Sequence, residues 1–279
     1  IESLDINPLI ARSNGSLVAV DALIEIGRQQ TSSEADSQNS FVPTHEHFTA
    51  LFKPRAIVVI GASSHPGKFG FVSLHNALVN NFAGGIYATN LQRENILGVQ
   101  TVSDLSELPV GEIDLAFFCT PASSNEALLK QCAELGIRSA FIASAGYRES
   151  GESGESAEAS LLRLANSLGM LIAGPNGQGV VSTPSSLCLQ IVAPYPPLGG
   201  ISVASQSGNF VSSFLNYSQQ SGVGIARAIS AGNATQISVE NFLQYFASDD
   251  DTKVALTYIE NVGNGESLLQ AMKHITAVK

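Results

Sequence analysis

A chain of 279 residues with 44% hydrophobic and 14% charged positions is long enough for two α/β domains, each with its own core. Its formal charge of −10 offers no basic field to a nucleic acid or an anionic membrane, although backbone amides can still hold an anion locally. Cys119, Cys132 and Cys188 are too few and too scattered for a disulfide framework or a zinc site; with no signal peptide and no apolar run near ~18 residues, this points to a reducing, cytoplasmic setting.

Residues 1–28 read as a β-hairpin. Ile6, Pro8, Ile10 and then Val18, Val20, Ala22, Ile24 alternate at the strand period around Ser13-Asn14-Gly15. A two-residue Asn-Gly turn would face apolar positions against mixed ones. A three-residue loop with Gly15 left-handed pairs positions that sum to 28 and keeps both apolar rows on one face, so this register is expected, with Asn7 opposite Asp21. Residues 29–47 are rich in Gln, Ser, Thr, Asp and Glu, the composition of a linker.

Strands and helices then alternate. Strands are expected at Ala56–Ile60, Ile86–Asn90, Asp114–Thr120, Ser139–Ala145 and Met170–Ala173, with helices running to about Asn80 and near 125–135 and 156–168. Runs such as Leu115-Ala116-Phe117-Phe118 are continuously apolar, as parallel strands buried on both faces require. The alternation predicts a doubly wound, Rossmann-like domain over 48–194. Residues 180–199, rich in proline and serine, read as a connection. A second α/β series over 195–279 has strands at 201–204, 224–230 and 254–260 and reads as incomplete. The chain opens at Ile1 without methionine and stops on an amphipathic helix, so it is expected to be an excerpt of a longer polypeptide.

Chemistry is expected at strand ends. The loop Gly61-Ala62-Ser63-Ser64-His65-Pro66-Gly67-Lys68-Phe69-Gly70 lets the backbone approach a phosphate at a helix start. Its spacing is neither the dinucleotide G-x-G-x-x-G nor a Walker loop, and the next strand ends Tyr87-Ala88-Thr89-Asn90 without the acid that binds a nicotinamide cofactor's ribose. Cys119-Thr120-Pro121, Ser144-Ala145-Gly146 and Gly174-Pro175-Asn176 end further strands on the same edge, where open α/β sheets bind ligands. Ser205-Gln206-Ser207-Gly208-Asn209 either cradles an anion or simply caps its helix. Glu260 ends a strand expected to be buried, where a carboxylate needs a partner. Asn7 and Asp21 suit either a hard cation or an exposed polar cross-strand pair. His45, His47, His65, His75 and His274 show no partner in sequence and read as structural or solvated.

In this order, Ile57-Val58-Val59-Ile60-Gly61-Ala62-Ser63, Gly67-Lys68-Phe69-Gly70, Tyr87-Ala88-Thr89-Asn90, Ser144-Ala145-Gly146-Tyr147, Gly174-Pro175-Asn176-Gly177-Gln178-Gly179 and Ser205-Gln206-Ser207-Gly208 resemble the CoA-binding (α-type) half of ADP-forming acetyl-CoA synthetases, relatives of succinyl-CoA synthetase. Asp5-Ile6-Asn7-Pro8-Leu9 with Val20-Asp21 is similar to the last hairpin of the family's ATP-grasp half. The resemblance implies a CoA-binding domain followed by a truncated flavodoxin-like domain. It also implies an acid–thiol ligase in which acid, ATP and CoA give acyl-CoA, ADP and phosphate through an acyl phosphate and a phosphohistidine. By the same resemblance CoA is held by Gly61, Ala62, Ser63, Ser64, Gly67, Lys68, Phe69, Gly70, Asn90, Thr120, Pro121, Ala145, Gly146 and Asn176. Ser205, Gln206, Ser207, Gly208 and Asn209 hold the phosphoryl group, Glu260 steadies the phosphohistidine, and Asn7 and Asp21 bind Mg²⁺. The family's phosphorylated histidine belongs to a Ser-His-Thr-Gly-like segment absent here, and His274 does not replace it. The excerpt is therefore expected to bind CoA without completing a turnover. Its expected partners are CoA, ATP, a small carboxylic acid, the rest of the ATP-grasp domain, a downstream domain and, in some assemblies, further copies of itself. The rival readings are a non-catalytic CoA-sensing module and an NAD-dependent oxidoreductase.

Overall fold

The computed structural model describes residues 3–6, 9–20, 22–25, 41–191 and 194–279, and the chain divides into two units, 1–40 and 41–279. The first unit carries β1 (Ser3–Ile6), β2 (Leu9–Ala11), β3 (Leu17–Ala19) and β4 (Ala22–Glu25). β2 pairs antiparallel with β3 as Leu9↔Ala19, Ile10↔Val18 and Ala11↔Leu17, and β1 with β4 from Ser3↔Glu25 to Ile6↔Ala22. Every pair sums to 28, the register expected from the parity of the apolar residues. Gly15 closes the loop at φ +82°, a conformation that costs glycine little, and its N–H donates to the Arg12 carbonyl at 2.9 Å. Asn7 and Asp21, the expected metal pair, lie outside the described residues.

The second unit opens with α1 (His45–Phe52) and then β5 (Ala56–Ile60), α2 (Phe69–Val79), β6 (Gly85–Thr89), the small antiparallel pair β7 (Asn95–Ile96) and β8 (Val99–Gln100), β9 (Leu115–Phe118), α3 (Ala122–Glu134), β10 (Ser139–Ile142), α4 (Glu152–Leu168) and β11 (Leu171–Ala173). Its five-stranded sheet has the order β11-β10-β9-β5-β6, every pair parallel. This is the doubly wound arrangement expected, with the winding reversing between β5 and β9. Crossover helices cover both faces, which is why Ala56–Ile60 and Leu115–Phe118 are buried at every position.

There follow β12 (Gly179–Ser182), β13 (Leu187–Gln190), β14 (Leu198–Ser205), α5 (Gly208–Ser221), β15 (Ile225–Ser230), α6 (Val239–Ser248), β16 (Val254–Tyr258) and α7 (Gly265–Val278). These strands form a second sheet in the order β13-β12-β15-β14-β16. β14, β15 and β16 are parallel, while β12 runs antiparallel to both β13 and β15. Two expectations change here. Residues 179–190 are a hairpin of the second sheet, although sequence placed them with the first domain and read 180–199 as a connection. An apolar run such as Val180-Val181 announces a strand, not the sheet that receives it.

The second change concerns the core. Besides a cluster confined to each domain, around Val58, Phe118 and Leu161 in the first and Val203, Val211 and Leu215 in the second, a shared cluster of buried side chains runs from Ile57, Val59, Phe117 and Phe141 of the first sheet, through Phe48, Phe52 and Leu74 of α1 and α2, to Val180, Leu189, Ile229, Phe242 and Phe246 of the second. Phe52 stacks on Tyr245 with ring centroids 5.4 Å apart, tying α1 to α6. Polar ties reinforce the join. Buried Arg227 meets Asp249 at 3.3 Å and Asp251 at 2.6 Å, while Lys53 at the end of α1 reaches the same two carboxylates at 3.1 and 3.2 Å. The histidines near the start of this unit behave as sequence suggested for structural ones. His47 Nδ1 accepts the Thr44 N–H at 3.0 Å, which leaves Nε2 to donate to the Gly169 carbonyl at 3.1 Å. Burial therefore holds the His47 pKa below its ordinary value.

Candidate functional site

The carboxyl ends of β5, β6 and β9 surround a cavity of about 460 Å³, lined by Gly61, Ala62, Asn90, Thr120, Pro121 and Leu128 among others. It lies at the point where the winding reverses, where open α/β sheets leave a crevice. Gly61 adopts φ +84° with no room for a side chain, since a Cβ there would stand 2.9 Å from Thr120 and 3.1 Å from the Cys119 carbonyl. The Gly61 N–H donates to Thr89 Oγ1 at 3.1 Å, and Asn90 Nδ2 donates to the Ala62 carbonyl at 3.0 Å. Thr89 and Asn90 thus brace the glycine loop against the neighbouring strand, so Asn90 has a structural task as well as a place on the cavity wall.

The loop leads into α2 through Lys68, whose side chain makes no capping bond. Gly70 is buried because the first turn of α2 lies against the loop: a Cβ on it would come within 2.1 Å of the Gly61 carbonyl oxygen. Gly67 is the opposite case, with no atom of the described residues within 4 Å of where its Cβ would stand. Ser64, Gly67, Lys68 and Phe69 are exposed and Ser63 is half-buried. The helix start therefore offers uncapped amides to solvent, the condition for holding an anion.

A second cavity, about 650 Å³, is lined by Pro121, Ala122, Ala145, Gly146, Tyr147 and Leu161 among others. A third, about 550 Å³, is lined by Phe69, Ala145, Arg148, Asn176, Gln178, Gln206, Ser207, Gly208, Asn209, Asn233 and Glu260, with a few further residues. Pro121 belongs to the first and second and Ala145 to the second and third, so the cavities follow one another along the sheet edge. Gly61 lines the first cavity and Ser207 the third, while Phe69 at the start of α2 also lines the third, so the two helix starts expected to hold anions open on one cavity.

At the far end Ser207 caps α5, accepting the Phe210 N–H at 3.4 Å, while Ser205 Oγ receives the Ser207 N–H at 3.0 Å. The Gln206 side chain grips the turn that carries Glu260: its Oε1 accepts from the Glu260 and Asn261 amides at 2.6 and 2.9 Å. Glu260 itself departs from expectation. β16 is an edge strand with Val254 49% and Tyr258 42% exposed, and the Glu260 carboxylate is exposed at the cavity rim. Its burial gives no reason for a partner; its position beside Ser207 does.

Sequence reading missed the residues that set these loops. Asn125, wholly buried at the start of α3, accepts from Thr120 Oγ1 at 2.8 Å and donates to Ser144 Oγ at 2.9 Å and Tyr147 Oη at 2.8 Å. One amide thus joins the ends of β9 and β10. Burial pushes the Tyr147 phenol and the Cys119 thiol up to about 12, so neither ionises near neutral pH. Burial also acts to raise the Glu149 pKa, but hydrogen bonds from Asn233 and the Tyr147 and Gly146 amides outweigh it and leave the carboxyl below its ordinary range. Nothing local marks Asn125. Arg148 could have been noticed, since a chain with 14 Lys and Arg places few cations at strand ends.

Fold and cavities together define a two-domain α/β protein with a crevice at the switch point of its first sheet, followed by a polar cavity at the start of α5. Residues 55–183 match the CoA binding domain family and residues 198–279 the succinyl-CoA ligase like flavodoxin domain family. The chain is 33% identical over 229 residues to acetate–CoA ligase (ADP-forming) I of Archaeoglobus fulgidus, covering 82% of this chain and 33% of that protein. It is 30% identical over 270 residues to acetate–CoA ligase (ADP-forming) II of the same organism, covering 96% of this chain and 38% of that one, which takes in hairpin residues. Among solved structures, the dinucleotide forming acetyl-coenzyme A synthetase 1 of Ca. Korarchaeum cryptofilum, in complex with phosphate and ADP, superposes with a TM-score of 0.79 at 28% identity, covering 84% of this chain and 50% of that one. The chain belongs to the ADP-forming acetate–CoA ligase family, of which it carries the CoA-binding part. It spans only 33% to 50% of the length of these relatives. Among the described residues no helix is long and apolar enough to cross a membrane.

Proposed function

We propose that this chain is the CoA-binding portion of a ligase that converts an acid, ATP and CoA into acyl-CoA, ADP and phosphate. The observation that carries the reading is the run of cavities from Gly61 to Ser207, linked through Pro121 and Ala145. The nucleotide end of CoA occupies the crevice over β5, β6 and β9, with its pyrophosphate on the amides that open α2. The pantetheine arm follows Pro121, Ala145 and Gly146 toward the α5 helix start, so that the thiol meets the phosphoryl chemistry near Glu260. An acid's hydroxyl must become a phosphate leaving group before a thiol can displace it, and a phosphohistidine relay supplies that phosphate. In this reading Glu260 steadies a histidine from outside residues 1–279, and Ser205, Gln206, Ser207, Gly208 and Asn209 form the anion cradle. The N-terminal hairpin is the end of an ATP-grasp domain, with Asn7 and Asp21 serving Mg²⁺; the residue types fit a hard cation, an amide oxygen and a carboxylate. The work is cytoplasmic.

Calorimetry on the chain tests the CoA end. CoA should bind, and Gly67→Val should weaken it about tenfold, roughly 1.4 kcal/mol. Among the described residues no atom stands within 4 Å of the new Cβ, so a bound ligand is what the valine would crowd. Equal affinity for the two proteins would remove the loop assignment, and NADH displacing CoA would remove the ligase reading. In the full-length protein, Asp21→Ala should raise the Mg²⁺ concentration needed for half-maximal acyl-CoA formation. A superimposable metal titration would count against the hairpin assignment.

A further inference from the structure

Among the described residues lining the cavity at the start of α5, Arg148 is the one Lys or Arg, and it comes from the other domain. Its guanidinium is anchored on two sides. Nη2 donates to the Asn233 carbonyl, and Nε lies 3.7 Å from Glu158 Oε1. The anchor is itself firmly held. Glu158 is 5% exposed and accepts from the Arg148 N–H at 3.2 Å, Asn233 Nδ2 at 2.7 Å and Thr235 Oγ1 at 2.6 Å. Among the described residues Nη1 has no protein acceptor, and the side chain keeps 47% of its exposure. A buried acid with three neutral donors fixes a cation that is only partly satisfied at the wall of a polar cavity. Facing it are the opening amides of α5, which favour negative charge.

We infer that Arg148 is a direct contact for a small oxyanion in this cavity, and that Glu158 and Asn233 are positioning residues that aim it. The inference rests on the proposed reading of this cavity as the phosphoryl end of the site and adds a residue to it from the CoA-binding domain. A guanidinium cannot lose its proton in this range and presents donors in a planar fork, which suits the oxygens of phosphate or of a carboxylate. Because Arg148 and the α5 helix start come from different domains, the contact would make anion binding depend on the join between them.

The test uses the chain with inorganic phosphate and acetate titrated separately by calorimetry, and CoA as the reference ligand. Arg148→Gln should weaken phosphate about tenfold, roughly 1.4 kcal/mol, and leave CoA affinity unchanged. Arg148→Lys should recover part of the loss. If acetate rather than phosphate shows the loss, Arg148 holds the acid substrate's carboxylate; in either arm the contact stands. Unchanged affinity for both anions in Arg148→Gln, or no measurable binding of either anion to the unaltered chain, overturns it. Protection needs no variant: phosphate or acetate should slow the reaction of Arg148 with phenylglyoxal in the unaltered chain, read by peptide mass spectrometry. Equal reaction rates with and without both anions overturn the inference even if the variants fail to fold. Failure of CoA to bind would break the proposed function while leaving the anion result to stand by itself.

Discussion

Two strand-to-helix turns face the same run of cavities, and they are built by opposite means. The turn from β5 to α2 is made by glycines: Gly61 in a left-handed conformation, Gly70 pressed on its carbonyl, and no side chain capping the helix. The turn from β14 to α5 is made by hydroxyls: Ser205 holds the Ser207 amide, and Ser207 caps Phe210. The first leaves its amides open and depends on close packing for its shape. The second spends one amide on a serine and depends on hydrogen bonds. A glycine turn suits a large ligand that must lie along the backbone, and a serine turn suits a small anion that comes and goes.

The largest effect should separate packing from capping. Gly70→Ala puts a methyl 2.1 Å from a backbone oxygen that has no flexible way to yield, so it should cost on the order of 3 kcal/mol. A thermal melt should fall by several degrees; a melt within one degree of the parent would show that the loop is not shaped by that contact. Ser207→Ala should cost about 1 kcal/mol through the lost cap. Hydrogen exchange at Phe210 should speed up while the Gly61 loop is unchanged. Exchange at Phe210 that matches the parent would make the two turns less different than they look.

The smallest effect concerns pH at the turn between these two. The Glu149 carboxyl lies below its ordinary range in the folded chain because Asn233 and two amides hold the charged form. Its contribution to stability is present above the unfolded pKa, about 4.3 for glutamate, and is lost as the pH falls through the lower folded value. Denaturant midpoints should therefore decline below about pH 4, and Glu149→Gln should flatten part of that decline. Parallel acid limbs in the two proteins would remove Glu149 from the account.

Much of this molecule was readable locally. Apolar runs marked β5, β9 and β10, and the glycine and serine turns were found because each ends such a run. The helix starts proposed as anion sites were legible for the same reason, as a helix start needs only its own few residues to present amides. Asn125 and Glu158 were not legible. Each acts through partners far along the chain, Glu158 through Asn233 and Thr235, and a polar residue inside an amphipathic helix looks solvated until its neighbours are known.

By itself the sequence determined parity and punctuation: which positions of a strand share a face, where a left-handed residue must stand, and hence the hairpin register of Leu9 with Ala19. Periodicity is a property of consecutive residues, so it survives without a fold. Tertiary structure alone decided that β12 joins β15 and carries β13 with it, that Arg227 and Lys53 share two aspartates, and that a third, shared core runs between the two expected ones. A strand edge or a buried charge is satisfied by whatever partner the folded chain brings, and the choice of partner is made across distances that local pattern does not record.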